Sequence, residues 1–117
     1  MPHVVLEGDI TIDVAERRFE PFVHREGGLI IKAERFYRER EARAALIEMV
    51  VVESGHTQKF FIQLSHRDGG LTVRLEPLTD PEKTSGVRRA LAQVAHRFVE
   101  ASGARYGKTN IEDDLIR

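Results

Sequence analysis

The stretch TDPEKTSGVRR, residues 79–89, brings together side chains suited to binding an anion. It precedes a predicted helix, and a helix N-terminus offers unpaired N–H groups to a phosphate or carboxylate. The candidate anion ligands are Lys83, Thr84, Ser85, Arg88 and Arg89. The same stretch also fits an ordinary helix start capped by Asp80 or Ser85. Because the G-x-x-x-x-G-K-[ST] pattern of a phosphate-binding loop is missing, capping is the simpler interpretation.

The five histidines show no spacing typical of a metal site. None forms a helical i, i+4 pair with another, and no His-x-His pattern occurs. His96 has Glu100 one helical turn further on, which favours a surface pair over a general base. The chain contains no cysteine, which excludes disulfides, cysteine nucleophiles and cysteine-based metal sites. We therefore predict no catalytic residue, no metal and no cofactor from these side chains.

The opening Met1-Pro2-His3, followed by a strand, resembles the start of tautomerase-family chains, including the carboxymethyl-hydroxymuconate isomerase type. The resemblance implies that Pro2, after removal of Met1, acts as a catalytic base. It covers only the first residues of the chain. That family has two βαβ units, whereas this sequence predicts consecutive strands before its long helix. Pro2 is therefore a secondary hypothesis.

The bulk composition is typical of one globular domain. The chain has 117 residues, of which 41% are hydrophobic, with 18 Lys and Arg against 19 Asp and Glu. This balance gives no general attraction to nucleic acid, so a nucleic-acid partner is unlikely from charge alone. No apolar run is long enough for a signal peptide or a membrane span, which predicts a cytoplasmic protein without a membrane partner.

The elements that must position these side chains begin with a β-hairpin over residues 60–76. Apolar residues alternate along both halves of this range. A two-residue turn at residues 68–69 places Leu64 opposite Val73. The turn residues and the hydrophobic pattern therefore predict the same register.

Two further strands are predicted before this hairpin. A turn at residues 55–56 adds a third strand and sets Met49 opposite Ile62. A fourth strand covers residues 29–37. Good helix formers dominate residues 33–49, so a helix there is the alternative, although the flanking β-branched residues favour strands.

The predicted fold class is α+β. It has an N-terminal strand and a short helix capped by Asp13, a four-stranded antiparallel meander, and a C-terminal amphipathic helix packed on one sheet face. That helix ends at Gly103, a typical helix stop. Residues 1–103 are predicted to form a single domain, and residues 104–117 a polar, weakly ordered tail.

One face of the predicted sheet remains half apolar. Its candidate interface residues are Phe36, Val50, Val52 and Phe61. A solvated face should alternate more cleanly, so the N-terminal segment, a second copy of the chain or a ligand must cover it. The predicted function is a small cytoplasmic, non-enzymatic binding or assembly module that forms a homodimer. The alternative is a protein for a small anionic or phosphate ligand, or a small enzyme, that uses residues 83–89.

Overall fold

A computed structural model describes the whole chain, residues 1–117, as one antiparallel sheet that curls into a half-barrel, with two helices. The elements in chain order are β1 (His3–Glu7), α1 (Ile12–Arg18), β2 (Phe22–Glu26), β3 (Leu29–Arg38), β4 (Ala44–Glu53), β5 (His56–Arg67), β6 (Gly70–Leu75), α2 (Ser85–Ser102), β7 (Arg105–Thr109) and a 3-10 turn (Glu112–Asp114). Both helices pack into the same core as the inner face of the sheet.

The sheet has seven strands in the order β2-β3-β4-β5-β6-β1-β7, and every neighbouring pair is antiparallel. The predicted four-stranded meander with a single helix on one face is therefore wrong. The meander has five strands, β2 to β6, and β1 and β7 extend the sheet beyond it. The added edge strands β2 and β7 have five residues each and no fully buried residue, so their hydrophobic pattern is weak.

The first strand lies inside the sheet, between β6 and β7. Val4 and Leu6 are fully buried there. Strand β1 lies so close to β6 that a Cβ atom added to Gly70 of β6 would be 1.8 Å from the carbonyl oxygen of Leu6 in β1. Gly70 therefore permits the contact between the two strands.

The antiparallel pairing of all the strands shows that this chain does not have the tautomerase fold. That family's βαβ units require parallel strands joined through a helix. Here β2 is at one end of the strand order, β1 lies between β6 and β7 near the other end, and Pro2 is buried. The resemblance stops at the opening residues.

The register of the β5–β6 hairpin agrees with its prediction, since Leu64 lies opposite Val73. The β4–β5 register differs by two residues, with Ile47 rather than Met49 opposite Ile62. The reason is that the turn falls at Ser54-Gly55, where both residues have positive φ, 52° and 78°. A two-residue shift leaves each side chain on its predicted face, so the core residues of these strands are unchanged.

Residues 33–49 form parts of β3 and β4, so the helix alternative is wrong for this range. A bulge interrupts the β3–β4 register between Ala33 and Phe36. The extra residue turns Phe36 onto the inner face, where it packs against the core and against Phe19, with ring centroids 5.5 Å apart. Tyr37 consequently points to the outer face, the side of the sheet away from the helices.

The helices begin at threonine caps. The side chain of Thr11, rather than Asp13, accepts from the backbone N–H of Val14. Asp13 and Glu16 instead accept hydrogen bonds from Arg38 at 2.6 Å and 3.0 Å. Both hydrogen bonds raise the pKa of Arg38, the one to Glu16 more than the one to Asp13. These contacts tie α1 to the end of β3.

The long helix α2 ends as predicted, with Gly103 in a left-handed conformation at φ 74°. Its buried stripe lies over the inner face of the sheet. The segment after Gly103, predicted as a weakly ordered tail, contains β7 and the 3-10 turn. Ala104 and Ile111 are each only 4% exposed within the core. The segment is polar because only a few of its residues face inward.

Candidate functional site

An apolar groove crosses the outer face of the sheet, over the end of β3, the start of β4 and the middle of β5. We call it the outer groove, a depression of about 510 Å³ whose main apolar side chains are Tyr37, Leu46, Phe61 and Leu78. The rings of Tyr37 and Phe61 meet edge to face with centroids 6.3 Å apart. Neither helix covers this side of the sheet.

The most exposed large hydrophobic side chain in the protein borders the outer groove. Leu78 is 94% exposed, although it lies in a loop that is held in place. The carboxylate of Glu76, only 9% exposed, accepts from the backbone N–H groups of Leu78 at 2.8 Å and Thr79 at 3.1 Å. The hydroxyl of Thr79 accepts from the N–H of Phe61 at 3.1 Å. The loop is therefore fixed to β5 while Leu78 projects into solvent.

The predicted interface residues fall on both faces. Val50, Val52 and Phe61 lie on the outer face and are partly exposed. Phe36 does not, because the bulge in β3 turns it into the core. Tyr37 takes its place on the outer face. Sequence periodicity could not reveal this exchange, since the bulge has no glycine to mark it.

The N-terminus of α2, which the sequence predicted as an anion site, already binds a carboxylate of the chain itself. Glu53, at the end of β4, accepts from the backbone N–H of Gly86 at 2.9 Å. A Cβ atom at Gly86 would lie 2.8 Å from the Glu53 carboxyl carbon, so the glycine allows this approach. Thr84 is the cap, and its hydroxyl accepts from Val87 N–H at 3.2 Å. Ser85 is the first helical residue and is exposed.

The three cations of this stretch also have partners within the chain. Lys83 pairs with Asp80 at 2.8 Å. Arg88 contacts Asp114 at 3.3 Å and donates to the carbonyl oxygen of Lys83 at 2.8 Å. Arg89 pairs with Glu26 at 2.7 Å. Binding of an external anion by Lys83 to Arg89 stays a prediction, and it would require that anion to compete with Glu53, Asp80, Asp114 and Glu26.

Replacing Glu53 with glutamine should lower the free energy of unfolding by about 1 kcal/mol. The amide oxygen can still accept from Gly86, but it loses the charge that favours a carboxylate at a helix N-terminus. Urea denaturation at low salt measures the change, and the difference should shrink in high salt. Glu82→Gln is the control, because Glu82 is exposed and forms no ion pair. Equal stability of Glu53→Gln and wild type would contradict the assigned role of Glu53.

A second polar site, which the sequence did not predict, lies between the end of α1 and the middle of α2. We call it the arginine cavity, an open depression of about 600 Å³. Its polar lining residues are Arg17, Arg18, Glu20, Gln93, His96, Arg97 and Glu100. The available sequence signal was the pair Arg17-Arg18 before Pro21. These two arginines lie near Arg97 only because α1 packs against α2, and the two helices are far apart in sequence.

The guanidinium group of Arg97 lies over the ring of an aromatic residue of β2. Its guanidinium carbon is 3.8 Å from the ring centroid of Phe22, a cation–π contact. Partial burial lowers the pKa of Arg97, and no carboxylate of the chain offsets that effect. The neighbouring His96 lies 3.5 Å from Glu100 through Nε2, while its Nδ1 is buried without a hydrogen-bond partner.

The structure shows no group of three His, Cys, Asp or Glu side chains arranged to hold a metal ion. No helix has the length and apolar character needed to cross a membrane.

Comparisons with known proteins give one partial similarity. No family model matches the chain, and no solved structure matches it. A segment of 50 residues, 43% of the chain, is 32% identical to the tRNA (guanine-N(7)-)-methyltransferase of Aquifex aeolicus strain VF5. The match covers 17% of that enzyme, so the aligned segment spans only a small part of the methyltransferase.

Proposed function

We propose that the protein is a small cytoplasmic, non-enzymatic binding module that assembles as a homodimer through the outer groove. The observation that carries this proposal is Leu78, a large apolar side chain that is 94% exposed yet held by hydrogen bonds of Glu76. A loop that is fixed in place pays little conformational entropy when it binds, which suits a preformed contact.

The shape of the outer groove supports pairing of two copies. A two-fold interface requires one surface patch to be complementary to itself. Leu78 supplies a projection, and the adjoining depression beside Tyr37 and Phe61 supplies a receptor for the same side chain from a partner. Aromatic rings such as those of Tyr37 and Phe61 contribute strongly to buried interface centres, and Leu78 adds apolar area to them.

Replacing Leu78 with lysine should weaken the dimer at least about tenfold, because a charged side chain would be driven into an apolar groove. Phe61→Lys should act in the same direction from within the groove. Sedimentation equilibrium over a wide concentration range measures the effect. Leu78 is almost fully exposed in one chain, so its replacement should leave the unfolding midpoint unchanged at concentrations where both proteins are monomeric.

The matched control is Val23→Lys, a hydrophobic residue that is 53% exposed on the edge strand β2, away from the groove. It should leave the dimer intact. A wild-type protein that stays monomeric at all concentrations would refute the homodimer. A Val23→Lys protein that dissociates while Leu78→Lys does not would place the interface on the β2 edge instead.

The similarity to a tRNA methyltransferase favours a second candidate function, contact with tRNA. The near balance of charge over the chain argues against broad nucleic-acid binding, so such a contact would need a local cluster of cations. Filter binding with a tRNA transcript at low and moderate salt tests this candidate. Absence of saturable binding at low salt would remove it.

A further inference from the structure

We infer that the arginine cavity binds the phosphate group of a ligand. Its three arginines come from both helices, Arg17 and Arg18 from α1 and Arg97 from α2. None of the three forms an ion pair with a carboxylate of the chain, although Glu20 and Glu100 line the same cavity. The cavity thus gathers guanidinium groups whose ionic partners the chain does not supply.

The charges that line the cavity leave an excess of positive charge. Three arginines and two glutamates, Glu20 and Glu100, give a net +1 with His96 neutral. Glu100 is the nearest carboxylate to His96, at 3.5 Å from Nε2, and contacts none of the three arginines within ion-pair distance. A bound anion would balance the excess that remains.

The stacked side chain of Arg97 is held in a geometry that leaves donors free. A guanidinium that lies over an aromatic ring keeps its N–H groups at its edge, where they can donate to a second partner. Since Phe22 holds the side chain at 3.8 Å, less rotamer entropy is lost when a ligand binds. Gln93 and His96 add polar side chains to the same wall.

Phosphate is the anion that this lining fits best. The forked donors of arginine match the oxygens of phosphate, and several arginines can share one phosphate group. The cavity, at about 600 Å³, also has room for the rest of a small phosphorylated molecule. The phosphate could equally belong to an RNA backbone. This inference does not depend on the proposed homodimer, because the cavity lies on the helix side of the sheet.

The test is a titration of the 117-residue chain with two probes, in which binding is monitored by NMR and calorimetry. Sodium pyrophosphate represents a small phosphorylated ligand, and a tRNA transcript represents an RNA backbone. We expect saturable binding of pyrophosphate that weakens with added salt, with chemical-shift changes centred on residues 17–20 and 93–101. Binding by the transcript alone, with the same arginine dependence, would assign the phosphate to RNA.

Arg18→Gln and Arg97→Met should each weaken binding about tenfold, since each removes charge-assisted hydrogen bonds. Methionine keeps an unbranched side chain over Phe22, and Arg18 is exposed, so at least one variant tests binding without disturbing the fold. Arg40→Gln, an exposed arginine with no ion pair, is the control and should bind as wild type. No saturable binding of either probe, or wild-type affinity in both cavity variants, would overturn the inference. So would a loss confined to Arg88→Gln, which would place the anion at the start of α2.

Discussion

Replacing Gly70 with alanine is expected to lower the free energy of unfolding by more than about 3 kcal/mol, the largest effect of any single substitution considered for this protein. The added Cβ would lie 1.8 Å from the carbonyl oxygen of Leu6 and 2.9 Å from its carbonyl carbon. These atoms belong to the backbone of β1, so no side-chain rotation can relieve the clash. The strands β1 and β6 would have to separate.

Chemical denaturation followed by circular dichroism measures the loss. The matched control is Gly28→Ala, because an added Cβ there meets no atom within 4 Å. Gly28→Ala should change stability by no more than about 0.5 kcal/mol. If Gly70→Ala proved as stable as Gly28→Ala, β1 could not lie against β6 as the structure places it.

Removal of residues 104–117 is expected to cost about 4 kcal/mol or more, which is enough to unfold a domain of ordinary stability. The deletion removes Ala104 and Ile111 from the core. It also strips β7 from β1, together with the hydrogen bond that the Thr109 hydroxyl donates to the carbonyl oxygen of His3 at 2.8 Å. The fully buried Val4 and Leu6 would then lie on an open edge strand.

Amide NMR spectra and thermal unfolding of a chain that ends at Gly103 test this expectation. Deletion of Arg117 alone is the control, since its side chain is 59% exposed and contacts the surface residue Glu112. That protein should behave as wild type. A truncated chain with a dispersed spectrum and wild-type stability would show that residues 104–117 are a dispensable tail.

Long, strongly periodic segments were predictable from the sequence. The β5–β6 hairpin has both an alternating pattern and a turn at residues 68–69, and its register is confirmed. The stripe of α2 and its stop at Gly103 are confirmed as well. In each case a local signal and the tertiary environment favour the same structure.

The parts that could not be predicted depend on contacts between distant residues. Strand β7 is a short, mainly polar segment without a clear hydrophobic pattern. It becomes a strand because it pairs with β1. The bulge that turns Phe36 inward leaves no mark in the periodicity. The contact of Glu53 with Gly86 joins residues 33 positions apart and has no signal in the local sequence.

The candidate sites also differ in whether a local sequence pattern or a long-range contact creates them. The outer face was correctly expected to carry Val50, Val52 and Phe61, because alternation assigns them to one side of β4 and β5. Leu78 and the arginine cavity were missed. The first lies in a loop without periodicity, and the second is created by the packing of α1 against α2.

The position of β1 has a consequence for the order in which the protein acquires its structure during synthesis. Strand β1 is synthesised before both of its neighbours, β6 and β7, and the contact of Met1 with Asn110 spans 109 residues. Until the last strand emerges, the apolar residues of β1 have only part of their final surroundings. Such long-range pairing slows folding. The apolar residues of β1 therefore stay without their partner strands until β6 and β7 have been synthesised, and a chaperone would be needed during that interval.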